Sequence, residues 1–282
     1  MLTSTFLDLP HSPLAGGPAR IHVREAGAGP AVLLLHGGWG YQAYPYDAAI
    51  AALATGHRVL VPDRTGYGRS GRLRELPEGF HALMAEEAAL VLGALGVERA
   101  GVWGHSDGAV VAAWLALLHP ERVSALVLEA LHFWRAKAGS IPFFVTGRSE
   151  PERFGEAAVE AARRDHGEAW RDVLGAGARA WLRIIHDSVA QGGDLYAGRL
   201  GEIACPVLVL HGRRDPRTEP GEVEAAMQAL PRHARLQLVD AGHSPHTSTR
   251  EAGRANAAAV AFLATAPGEM RGRTPGQTPS DL

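Results

Sequence analysis

Short runs of apolar residues, bounded by turn residues, recur along the chain at Ala31–Leu35, Arg58–Val61, Ala100–Trp103, Ala125–Leu128, Val207–Leu210 and Leu236–Val239. Each has the length of a strand, and runs that stay apolar on both faces suit a sheet covered on both sides. Longer segments with apolar positions three and four apart lie between most of them, at Gly79–Leu95, Asp107–Leu118, Gly221–Leu230 and Arg250–Leu263. The alternation predicts an α/β fold: a mostly parallel central sheet with helices on both faces. Two earlier segments, Ser4–Leu9 and Arg20–Arg24, read as a short antiparallel lead-in.

The alternation breaks between Leu131 and Leu200. There Ala157–Arg164, Glu168–Leu174 and Ala178–Val189 have helical spacing and nothing reads as a buried strand. A discontinuous core over residues 1–130 and 201–265 is therefore expected, with a helical cap inserted at 131–200 and a Pro/Gly-rich flexible tail at 266–282. With 46% hydrophobic and 21% charged residues and a formal net charge of -2, the composition is that of a globular chain and argues against a nucleic-acid partner. The N-terminus has no basic region followed by an apolar run, so no signal peptide or membrane anchor is expected. The single cysteine, Cys205, fits a reducing, cytoplasmic setting.

Gly104-His105-Ser106-Asp107-Gly108 lies directly between a strand pattern and a helix pattern. Serine on so tight a turn needs a strained backbone, and glycine two residues to either side removes the side chains that would collide there. The hydroxyl then stands at the end of the sheet, beside N–H groups of a helix N-terminus. Serine is a weak nucleophile unless a base takes its proton and a third group orients that base. His243 follows the Leu236–Val239 run and Asp215 follows the Val207–Leu210 run, which puts both at the same carboxyl edge as Ser106.

Together with Leu35-His36-Gly37-Gly38-Trp39-Gly40, Asp63-Arg64-Thr65-Gly66-Tyr67-Gly68-Arg69-Ser70, the His211–Asp215 turn and Gly242-His243, the elbow makes the sequence resemble the α/β-hydrolase fold family over roughly residues 20–265. The resemblance implies that Ser106 is the nucleophile, His243 the base and Asp215 its acid. It also implies an oxyanion hole made by the N–H groups of Asp107 and Gly38, with Trp39 as the alternative donor because the glycine is doubled. Glu129, at the end of the Ala125–Leu128 run, occupies the place from which some members supply the acid. It could instead bind a cationic substrate group or pair with Arg135.

His36 and Asp63 are expected to brace loops. The His243-Ser244-Pro245-His246 pair lacks a carboxylate at zincin spacing, so no metal is expected. Gly66-Tyr67-Gly68-Arg69-Ser70-Gly71 does not open a helix and Lys137 lacks a glycine frame, so no nucleotide cofactor is expected either.

The expected activity is that of a serine hydrolase acting on a small ester, lactone, thioester or amide. The alternatives are a carbon–carbon bond hydrolase of the same family and a receptor-like binder with little turnover. Twelve of the 18 aromatic residues fall within 39–46 or 131–200, which favours an enclosed pocket for an apolar or aromatic acyl group. Trp39, Glu129, Phe133 and Trp134 are the expected substrate contacts, while Trp170 and Trp181 are expected to pack the cap onto the core. Asp107 and Glu129 add a secondary expectation, an amine-bearing ester.

Overall fold

The computed structural model describes residues 2–265, so the tail expected at 266–282 lies outside the described residues. Eight strands form one sheet in the order β1-β2-β4-β3-β5-β6-β7-β8. Strands β1 (Thr3–Ser12) and β2 (Gly17–Ala26) form the antiparallel lead-in, and β2 also runs antiparallel to β4 (Arg58–Pro62). From β4 onward, β3 (Ala31–Leu35), β5 (Ala100–His105), β6 (Val123–Glu129), β7 (Val207–Gly212) and β8 (Arg235–Val239) pair in parallel. Every residue of β3, β5, β6 and β7 is buried, which explains why these segments read as continuous apolar runs rather than alternating ones.

The sheet has an apolar layer on each face. Helices α2 (Phe80–Ala94) and α3 (Asp107–Leu118) pack with Leu33, Val102 and Leu126 on one face. Helices α1 (Asp47–Leu53) and α8 (Ala252–Ala264) pack with Val32, Trp103 and Val127 on the other. Helix α7 (Glu222–Ala229) lies between β7 and β8. Ala112, Ala113 and Ala116 of α3 are fully buried, so small side chains let this helix approach the strands closely.

Between β6 and β7 the chain forms α4 (Ile141–Ser149), α5 (Glu156–His166) and α6 (Trp170–Gln191) and contributes no strand to the sheet. The two helices expected at Glu168–Leu174 and Ala178–Val189 are one continuous helix, α6. Gly175 and Gly177 lower helix propensity by about 1 kcal/mol each but do not break hydrogen bonding, and packing against α4 overrides that cost. Helices α1 and α4 carried no clear sequence signal: α1 is only seven residues, and α4 contains proline, two phenylalanines, valine and glycine. No described helix is long and apolar enough to cross a membrane.

The backbone packs tightly at the β5–α3 turn. Ser106 has φ 55° and ψ -119°, a region that L-residues rarely occupy. A Cβ on Gly104 would overlap the Gly108 carbonyl, and one on Gly108 would overlap the carbonyl oxygens of Leu35 and His36. Gly108→Ala is therefore expected to destabilise the protein by roughly 1–3 kcal/mol in urea unfolding, by forcing α3 away from β3. Gly93→Ala, at an exposed position of α2 where an added Cβ meets only the Arg122 side chain at 4.0 Å, is expected to stabilise by about 0.5–1 kcal/mol. Equal unfolding midpoints for the two variants would contradict this account of the turn.

Candidate active site

Ser106, Asp215 and His243 follow three different parallel strands, β5, β7 and β8, and meet at their carboxyl ends. The Ser106 hydroxyl lies 2.8 Å from His243 Nε2, and His243 Nδ1 lies 2.9 and 3.0 Å from the Asp215 carboxylate oxygens. A proton on Nδ1, donated to Asp215, leaves Nε2 free to accept from serine. Asp215 Oδ1 also accepts the Arg217 N–H at 2.8 Å. Burial pushes the Asp215 carboxyl up, but the His243 hydrogen bond and charge outweigh it and hold the group well below the usual carboxylate range.

A second imidazole reaches the same hydroxyl. His132 Nε2 is 3.3 Å from Ser106 Oγ, and its ring stacks on that of His243 at 5.5 Å between centroids. Burial, reinforced by Lys137 and other nearby cations, holds His132 well below the ordinary histidine range, so it is neutral and able to donate Nε2–H to the serine oxygen. It was missed in the sequence although it lies three residues past the end of β6, at the same carboxyl edge as the other groups. The positive φ of 51° at Ala130 turns the chain there.

Comparison with known proteins places the chain in a family. Residues 30–150 match the model of the alpha/beta hydrolase fold. The chain is 30% identical over 259 residues to a pimeloyl-[acyl-carrier protein] methyl ester esterase of Nitrosomonas europaea, covering 83% of this chain and 96% of that protein. The chain belongs to the α/β-hydrolase fold family. A hydrolase from Pseudomonas aeruginosa superposes with a TM-score of 0.69 at 26% identity, covering 92% of this chain and 98% of that one. A bifunctional epoxide hydrolase 2 of Rattus norvegicus is 43% identical over 115 residues, which is 38% of this chain and 19% of that protein. This α/β hydrolase is thus a hydrolytic enzyme, as its relatives are.

The α/β-hydrolase loop after β3 faces the serine. Gly38, Trp39 and Asp107 all line the cavity at Ser106, and the N–H groups of Gly38 and Trp39 donate to no backbone acceptor among the described residues. Asp107 is the first residue of α3, where the N–H is free by geometry. The Gly38 backbone lies against Asp107, with an added Cβ 3.5 Å from the Asp107 Cβ.

The cavity holds about 50 Å³ of water-accessible interior, and its walls are the rings of Trp39, Tyr44, Tyr67, Phe143, Phe144 and Trp181, with Arg217 among them. Trp181 both packs and lines the cavity: its ring stacks on Phe144 at 5.5 Å while its Nε1–H donates to Asp107 at 3.0 Å. Phe133 and Trp134, expected as substrate contacts, are not among the lining residues. Their backbone N–H groups donate to Glu222 at 2.8 and 3.2 Å, which draws that stretch toward the start of α7.

Glu129 lies behind the cavity rather than in it. One oxygen accepts from Trp103 Nε1 at 2.9 Å, and the other accepts from the backbone N–H and Nδ1 of His246 at 2.9 and 2.8 Å. It neither pairs with Arg135 nor reaches His243. Glu129, His246 and His105 bring three potential metal ligands within 4.8 Å; His246 spends Nδ1 on Glu129 and Nε2 on the Tyr44 carbonyl, and His105 Nε2 lies 3.1 Å from the His243 carbonyl. Asp107 is likewise occupied, by Arg64 Nη1 at 2.7 Å and His81 Nε2 at 2.9 Å. Neither carboxylate is left for a substrate amine. Asp63, as expected, braces loops through His22 and the Arg69 N–H, and His36 through Gly37 and Arg64.

Several histidines around the site are buried and neutral. Burial, aided by Arg64, lowers His36 to about 3; burial lowers His105 to about 3 and His166 to about 4. His166 Nδ1 accepts the Gly68 N–H and Nε2–H donates to the Trp39 carbonyl, so these bonds require the neutral ring. Their folded values lie below the unfolded value of about 6.5, so the stability they contribute is complete above that pH and is lost as pH falls toward 3–4. Asp165, raised by burial to about 6, and His246, which Glu129 raises against the downward push of burial, work in the opposite sense and offset only part of this. The urea midpoint is expected to fall steadily between pH 7 and 5, and a midpoint that rises over that range would refute the neutral assignments.

Proposed function

We propose that this α/β hydrolase is a serine hydrolase that cleaves a small ester, lactone, thioester or amide through an acyl-enzyme. The observation that carries the reading is the unbroken hydrogen-bonded chain from Ser106 through His243 to Asp215, opening on a small aromatic cavity. Ser106 Oγ attacks the carbonyl carbon as its proton passes to His243 Nε2, and that proton leaves with the departing alcohol, thiol or amine. Water then attacks the acyl group, giving a proton to His243. Collapse releases the acid and returns the proton to Ser106. Asp215 keeps His243 in the right tautomer and balances the imidazolium formed in each half-reaction.

The N–H groups of Asp107 and of Gly38 or Trp39 receive the developing oxyanion. Neutral His132 adds a donor to the serine oxygen. The helices at 131–200 act as a lid over the discontinuous core, excluding water and enclosing a short apolar or aromatic acyl group. An ester as scissile group is further supported by the Nitrosomonas relative, which is named for a methyl ester. A free, buried Cys205 suits work in the cytoplasm.

A fluorophosphonate probe should label Ser106 in the folded protein. Ser106→Ala and His243→Ala should each lower kcat/KM on p-nitrophenyl butyrate by on the order of 10³-fold or more, since the groups act as a unit. Asp215→Asn should cost far more than Glu129→Gln. Retention of a tenth of wild-type activity by Ser106→Ala, or the reverse order for the two acids, would overturn the assignments. Palmitate esters should be turned over more slowly than butyrate esters, and the opposite order would refute an enclosed pocket.

A further inference from the structure

Among the described residues, the cavity at Ser106 contains one charged side chain with no hydrogen-bonded or ion-paired partner. Arg217 lies half-buried two residues beyond Asp215, among the lining residues. Its backbone N–H donates to Asp215. Among the described residues its guanidinium makes no hydrogen bond and no ion pair within 4.0 Å. It faces the rings of Phe143 and Phe144 instead. Among the described residues the three buried arginine and lysine side chains are arranged otherwise, each against a carboxylate: Arg24 with Asp63, Arg64 with Asp107 and Lys137 with Glu222.

Withdrawing a cation from water without a partner is costly, and a planar guanidinium presents its donors in a fork that matches a carboxylate. The acids at the cavity are already committed, Asp215 to His243 and Asp107 to Arg64, His81 and Trp181. Burial lowers Arg217 to about 10, against the opposing pull of Tyr44 and Asp215, so it is still charged at neutral pH.

From this arrangement we infer that Arg217 receives a carboxylate carried by the substrate, so that the ester cleaved at Ser106 belongs to a short anionic compound rather than to a neutral or amine-bearing one. This rests on the serine-hydrolase reading above. The apolar part of the substrate lies against the aromatic rings, and its charged end reaches the guanidinium. A purely structural role, with Arg217 holding α4 down through its aromatic faces, would not make the enzyme distinguish an anionic ester from its neutral isostere.

The test compares monomethyl half-esters of malonate, succinate, glutarate and adipate with their dimethyl esters, and O-acetylglycolate with its methyl ester. The first set places the carboxylate on the acyl side and the second on the alcohol side. Wild-type enzyme should favour the anionic member of at least one pair by about 10- to 100-fold in kcat/KM, through KM. Arg217→Gln should bring that ratio close to one, and Arg217→Lys should retain part of it. Absence of a preference in every pair, or a preference that persists in Arg217→Gln, would overturn the inference, while turnover of the neutral esters and fluorophosphonate labelling would leave the serine-hydrolase reading standing. If neither ester type is turned over and Ser106 is not labelled, that reading fails instead. Calorimetry with free glutarate then decides the Arg217 site alone: binding that is lost in Arg217→Gln supports it, and no binding by wild type refutes it.

Discussion

The buried pair between Arg64 and Asp107 holds the loops of the site in register. Arg64 comes from the loop after β4, and its Nη2 donates to the carbonyl oxygens of His36 and Gly37 at 2.9 and 3.0 Å. Because the peptide is planar, the N–H groups of Gly37 and Gly38 in the same units point away from Arg64. Asp107 receives the same guanidinium at the first turn of α3, and also receives His81 from α2 and Trp181 from α6. One carboxylate therefore joins four segments. Removing either charge would leave the other desolvated, which costs about 3–5 kcal/mol in buried pairs generally. The position after Ser106 is thus structural in its side chain.

That hub explains how a strained serine can persist. The backbone at Ser106 is unfavourable by itself, and Gly104 and Gly108 only remove obstacles to it. The strain is sustained because α3 is fixed at its start by Asp107 and along its length by alanines against the sheet. His105 contributes from the other side by holding the carbonyl of His243, so that imidazole is positioned by its main chain as well as by Asp215. The same logic extends to the helices over the site, where His166 bridges the loops at Trp39 and Gly68.

The core strands, the elbow and the convergence of Ser106, Asp215 and His243 were legible because each rests on local chemistry: apolar runs, glycine spacing, and polar residues placed just after strands. What was not legible depends on which polar groups find each other. Phe133 and Trp134 follow β6 closely enough to suggest the cavity, yet Glu222, about 90 residues later, takes their N–H groups. Phe143 and Phe144 reach the cavity from a helix whose composition does not announce one. His132 obeyed the strand-end rule and was overlooked beside the more conspicuous Glu129. The division of α6 into two helices followed its glycines, which tertiary packing overrides.

The charge of the cavity is the clearest case of composition pointing one way and pairing another. Reading Asp107 and Glu129 as neighbours of the nucleophile suggests an acidic site suited to an amine. In the folded chain both carboxylates are closed off by donors from distant segments, and both are held in the charged form against the upward push of burial. A charge neutralised by a buried partner contributes little to the field that a ligand meets, whereas an unpaired one contributes nearly all of it. The sign of the cavity is therefore set by Arg217, which follows Arg213 and Arg214 in the sequence and is not singled out there by any motif. Its aromatic neighbours do not neutralise it: ring faces attract a cation without supplying hydrogen-bond acceptors in its plane. The edge of the guanidinium stays open to an acceptor even while its face is covered, so an apolar wall and an unpaired cation occupy the same small space without conflict.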